Sequence, residues 1–92
     1  ARAIAKNAGL KKLLLELGGN DPLIVMPDGD FKLAVKTAIN QRFGTAGQRC
    51  TASKKIFVHE SIYEHFKTHL LEETAKLKIG DPSQPDTFVG PV

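Results

Sequence analysis

The chain has 92 residues, of which 41% are hydrophobic and 25% charged, and a formal charge of +3. That is one small domain at most, with ordinary globular composition and a core too small for more than marginal stability. The 13 basic residues are scattered, and with one Tyr and no Trp they form neither a nucleic-acid tail nor a stacking platform.

Residues 2 to 8 read as the end of a helix, with Gly9 at the position after it where φ is positive. Lys12 to Leu17 (KLLLEL) is an apolar run of strand length, bracketed by Gly9 and Gly18-Gly19. It predicts a buried strand, with Glu16 as a carboxylate near its end. Leu23 to Met26, between Pro22 and Pro27, predicts a second strand. Asp28-Gly29-Asp30 predicts a helix start, either aspartate serving as N-cap. Phe31, Val35, Ala38 and Ile39 recur at helical spacing, so that helix runs to about Phe43. Lys54 to His59 predicts a third strand. Ser61 and Glu64 have the spacing of a capping box. The stripe Ile62, Phe66, Leu70, Leu77 predicts a helix over 62–78, stopped by Gly80-Asp81-Pro82. Strands alternating with helices imply an α/β fold of parallel βαβ units with right-handed crossovers.

Two features suggest a piece of a longer chain: it does not begin with Met, and it ends on Phe88-Val89-Gly90-Pro91-Val92, where an apolar segment is starting. No run reaches transmembrane length and no signal-peptide pattern is present. The lone cysteine, Cys50, cannot form an internal disulfide, which points to a reducing, cytoplasmic setting.

A lone cysteine is more often a buried apolar filler than a nucleophile. The neighbours of Cys50 argue the other way. Gly44, Ala46, Gly47, Thr51, Ala52 and Ser53 are small, so backbone and substrate can approach closely. Arg49 adds a positive charge that favours the thiolate, and a turn of successive N–H groups could hold an oxyanion. For Glu16 the two readings are a structural salt bridge and a general base with a raised pKa. A ligand in an open α/β sheet binds beyond the carboxyl ends of the strands, where Glu16 is expected. His59, His65 and His69 lack the partners of a zinc site, so no metal is expected. The phosphate-loop patterns GxGxxG and GxxxxGK[ST] are absent.

Taken together, LELGGNDP (15–22) and FGTAGQRCTA (43–52) resemble the glutamate and cysteine motifs of the aldehyde dehydrogenase superfamily, in order and at the family's 34-position separation. The resemblance covers all 92 residues. It implies a fragment of that fold, with residues 1–17 ending the NAD(P)-binding domain and 18–92 beginning the catalytic domain. By position, Cys50 matches the nucleophile and Glu16 the general base. Leu17 and Gly18 match positions beside the nicotinamide of NAD or NADP. Arg49 and Thr51 flank the nucleophile as candidate substrate contacts. The GQRC form looks most like subgroups acting on phosphorylated or phosphonated aldehydes or acidic semialdehydes, which suits a cation beside the reacting carbon. The alternative for Arg49 is a contact within the protein. The family also implies a homo-oligomer, dimer or tetramer, in the full-length form, and no nucleic-acid or membrane partner. The isolated 92 residues are expected to be inactive. Two other readings of the chain are a non-catalytic truncated paralogue used for binding or oligomer contacts, and a thiol redox sensor. The second rests on Cys50 alone and ignores Glu16.

Overall fold

The computed structural model describes residues 1–92. Its elements in chain order are α1 (Arg2–Asn7), β1 (Asp21–Val25), α2 (Phe31–Phe43), β2 (Ser53–Val58) and α3 (Tyr63–Ala75), with short 3-10 turns at Gly44–Gly47 and Glu60–Ile62. β1 and β2 pair in parallel, Asp21 against Ser53 at one end and Val25 against Val58 at the other. The link between them carries α2, so the centre of the molecule is one βαβ unit, as the alternation predicts.

α2 forms where its signals stand. Asp30 has extended backbone and its carboxylate accepts the Leu33 N–H at 3.0 Å, which satisfies one of the free donors of the first turn. The helical stripe buries Val35, Ala38 and Ile39. They close on Val25 from β1 and Phe66 from α3 to make the core, with Leu23, Ile56, Ile62 and Leu70 packed around it. α1 also ends as expected: Gly9 has φ +66° just past its last residues.

Three expectations are corrected. Residues 12–17 form no strand and are exposed throughout. A strand exists through its ladder, and the only sheet here is the β1–β2 pair, which leaves KLLLEL without a partner. Glu16 therefore lies on an open segment five residues before β1.

The Ser61–Glu64 capping box is also not made. The Ser61 N–H donates to His59 Nδ1 at 3.2 Å, so the imidazole starts a 3-10 turn and α3 begins only at Tyr63 without a side-chain cap. Glu64 pairs with Lys67 instead.

Finally, α3 stops at Ala75 rather than near residue 78. The Lys78 carbonyl accepts the N–H groups of Phe88 and Val89, and Gly80 donates to Val89. Residues 77–80 thus leave the helix for a small parallel bridge, Ile79 to Val89. No helix is long and apolar enough to cross a membrane.

Candidate active site

The segment that carries Cys50 is a sequence of tight turns. α2 ends at Gly44, whose N–H donates to the Asn40 carbonyl. Thr45 and Ala46 then adopt φ of 54°, followed by Gly47 at 73°. Two non-glycine residues in the left-handed region in succession cost energy and hold only where the surroundings impose them. The chain next folds through Arg49-Cys50-Thr51-Ala52, with the Ala52 N–H on the Arg49 carbonyl at 3.2 Å. Cys50 is the second residue of that turn and Thr51 the third. Ala52 and Ser53 are buried and lead into β2, which fixes the turn to the sheet. Cys50 itself is exposed within these 92 residues and stands outside their core. Its backbone N–H makes no hydrogen bond within the chain, which leaves a donor free beside the thiol.

The two motifs meet through glycine. A Cβ at Gly19 would collide with the Cys50 carbonyl oxygen, so only glycine lets the 15–22 segment pass this close to the cysteine turn. Glu16 stands three positions before Gly19, so its Cα lies within about 11 Å of the Gly19 Cα. The meeting point is at the amino-terminal ends of β1 and β2, where Asp21 opposes Ser53. That is the opposite end of the strands from the one expected for a ligand, because Glu16 precedes β1 instead of closing a strand. Leu17 and Gly18 lie on the same open segment, and nothing stands within 4 Å of where a Gly18 Cβ would be.

Arg49 turns back onto the protein. Its Nη2 donates to the Asn40 carbonyl at 2.6 Å, and its guanidinium packs on Gly44, where a Cβ would lie 2.8 Å from Nη2. Arg42 packs in the same way on Gly47, whose Cβ would strike the Arg42 carbonyl. The residues that sequence reading passed over are therefore Gly19 as a contact of Cys50, Arg42, and the left-handed pair Thr45-Ala46. Gly-Gly beside the glutamate was a legible signal for the first. The other two carry none, since Thr and Ala are not residues that favour positive φ.

The three histidines do not converge on a metal. His65 and His69 pack on each other and on Phe31, the His69 ring edge-on to Phe31, with ring centroids 4.3 to 5.2 Å apart, and no group of three or more His, Cys, Asp and Glu could hold an ion. The largest concavity is the α2–α3 groove around Phe31, Ile39, His69 and Leu77, and it includes neither Glu16 nor Cys50.

A sequence profile of the aldehyde dehydrogenase family matches residues 1–92. The chain belongs to that family. It is 63% identical over 92 residues to a sulfoacetaldehyde dehydrogenase of Neptuniibacter caesariensis, matching all of this chain and 20% of the relative. It is 48% identical over 90 residues, 98% of this chain and 20% of the relative, to a succinate-semialdehyde dehydrogenase [NADP(+)] of Mycobacterium bovis. Among solved structures, a betaine aldehyde dehydrogenase from Staphylococcus aureus in complex with NAD+ superposes with a TM-score of 0.91 at 41% identity, over 99% of this chain and 18% of that one. The chain thus spans about a fifth of the length of the aldehyde dehydrogenases it matches.

Proposed function

We propose that this chain carries the reacting thiol and the base of an NAD(P)-dependent aldehyde dehydrogenase, acting within the full-length enzyme on an anionic aldehyde. The observation that carries the reading is the packing of Gly19 against the Cys50 carbonyl, which joins the glutamate and cysteine segments across 34 positions. The Cys50 thiolate adds to the aldehyde carbon and forms a thiohemiacetal. The oxygen that gains charge in that step is held by the free Cys50 N–H, a donor already fixed by the turn. Loss of hydride from the carbon leaves a thioester on Cys50. Glu16 takes a proton from water, the water oxygen attacks the thioester carbon, and carboxylate and thiol are released.

The residues here that would face a dinucleotide fit it. The Leu17 carbonyl accepts no hydrogen bond within the chain and can take one from the nicotinamide amide, and Gly18 leaves open space beside it. Bound NAD(P) supplies the hydride acceptor.

The anionic substrate class rests on Arg49 and on the relatives named for sulfoacetaldehyde and succinate semialdehyde. A guanidinium has five N–H donors, and the one on Asn40 leaves others for a sulfonate or carboxylate, with Thr51 on the same turn. Full-length enzyme is tested for NADH and NADPH formation with sulfoacetaldehyde, succinate semialdehyde and propionaldehyde. Activity on the acidic aldehydes, lost in Cys50→Ser, is expected. Arg49→Leu should raise KM more for the acidic aldehydes than for propionaldehyde, and an equal effect on both would remove the anionic assignment.

A further inference from the structure

We infer that Arg49 is a positioning residue for Cys50, setting the turn that carries the thiol through its bond to the end of α2, whatever the charge of the substrate. The inference rests on Cys50 being the nucleophile, as proposed above. Four contacts support it. Arg49 Nη2 and the Gly44 N–H converge on one acceptor, the Asn40 carbonyl. That carbonyl belongs to the last turn of α2, where the aligned peptide dipoles leave partial negative charge that favours a cation. The guanidinium lies against Gly44, with Nη2 2.8 Å from where a Cβ would stand, so a methyl there would shift it. At the other end of the residue, the Arg49 carbonyl accepts the Ala52 N–H and so closes the turn around Cys50 and Thr51. One residue thereby links the helix end, through its side chain, to the cysteine turn, through its backbone.

This linkage answers a problem of the loop. The left-handed run Thr45 to Gly47 does not persist by its own preference, and within these 92 residues the Cys50 side chain is not packed in the core. On one flank Gly19 abuts its carbonyl, and on the other Arg49 anchors the turn. Misplacing a nucleophile by about 1 Å costs on the order of 100-fold in rate.

The test uses full-length enzyme with propionaldehyde, which has no anionic group for a guanidinium to bind. Arg49→Met removes the donor. Gly44→Ala keeps the charge, fits the backbone at φ −56°, ψ 133°, and crowds the guanidinium out of its place against Gly44. Both are expected to lower kcat on the order of tenfold or more, with KM little changed. Arg49→Lys, which keeps a long cationic donor, should recover most of the loss. The pH midpoint of kcat/KM should stay where it is, because the thiol is displaced rather than made less acidic. Amide exchange over 44–52 should quicken in the two damaging variants and return toward wild type in Arg49→Lys.

Wild-type kcat and exchange in Arg49→Met and Gly44→Ala would overturn the inference. So would a loss explained entirely by a moved pH midpoint, which would make Arg49 a source of thiolate charge. If Arg49→Met does not fold, Gly44→Ala and Arg49→Lys decide alone. If the wild-type enzyme oxidises no aldehyde, the dehydrogenase reading falls, and exchange over 44–52 still decides what Arg49 does to the turn.

Discussion

At the scale of single residues, two side chains and one missing side chain make up the proposed site. Cys50 is exposed on a closed turn with an unused N–H beside it, which suits a nucleophile and does nothing for a core. Replacing it with Ala is expected to lower aldehyde oxidation by the full-length enzyme by on the order of 10⁴ or more, as loss of a nucleophile does elsewhere. Glu16→Gln is expected to cost on the order of 10² to 10⁴ in steady-state kcat. It should leave a rapid burst of NAD(P)H equal to one turnover per Cys50 under the proposed role of Glu16 in thioester hydrolysis; a missing burst would move Glu16 to the first step. Gly19 contributes by having no Cβ. Gly19→Ala must push the 15–22 segment away from Cys50, and a large fall in kcat without a change in thermal midpoint would separate this effect from general damage.

At the scale of elements, α2 carries the geometry. Its first turn is capped by Asp30, its middle fills the core, and the Asn40 carbonyl in its last turn anchors Arg49. Asp30→Ala should cost about 1 kcal/mol, read as a lower urea midpoint at unchanged slope. α2, β1, β2 and the Gly9 helix stop were all legible in the sequence, because each depends on local rules: caps, spacing of apolar residues, and Pro or Gly at the ends. The strand at 12–17 was not, because strand formation depends on a partner that local sequence cannot name. The capping box failed for a related reason. Ser61 had the right spacing, but His59 reached the same N–H first. The loop after α3 offers a pH effect of small size. The Ser83 backbone N–H holds the Asp81 carboxyl below the usual carboxylate range. A depressed carboxyl stabilises the folded loop above its unfolded value, near pH 3.9, and this support is lost as pH falls through the folded value. Ser83→Pro, which removes the N–H, should raise the Asp81 titration midpoint in a carbon-detected NMR experiment.

At the scale of the whole molecule, the chain is flat and open. Its radius of gyration is 17.4 Å, against about 12 Å for a compact domain of this length. Its accessible surface is 7260 Å², against roughly 5200 Å² for a folded monomer of 10.0 kDa. Apolar side chains account for part of the excess, with Leu10 and Leu14 almost fully exposed on the segment that leads to Glu16. A reacting thiol needs a water-poor pocket, and these 92 residues alone do not enclose one. The isolated chain is therefore expected to produce no NAD(P)H from aldehyde and to bind a hydrophobic dye such as ANS more strongly per residue than the full-length enzyme does. Aldehyde-dependent NAD(P)H from the isolated chain would contradict this.

The sequence by itself determined the family, the βαβ order and the two residues proposed for the chemistry, because motif spacing and amphipathic period are properties of the linear chain. It could not decide between filler and nucleophile for Cys50 from the GTAGQRCTAS stretch alone, nor between substrate and protein for Arg49. Tertiary structure decided the exposure of the thiol, the Gly19 contact that joins the motifs, and the Arg49 bond to Asn40. Each of these is a meeting of segments distant in sequence, and such meetings depend on how α2 carries the chain from β1 to β2.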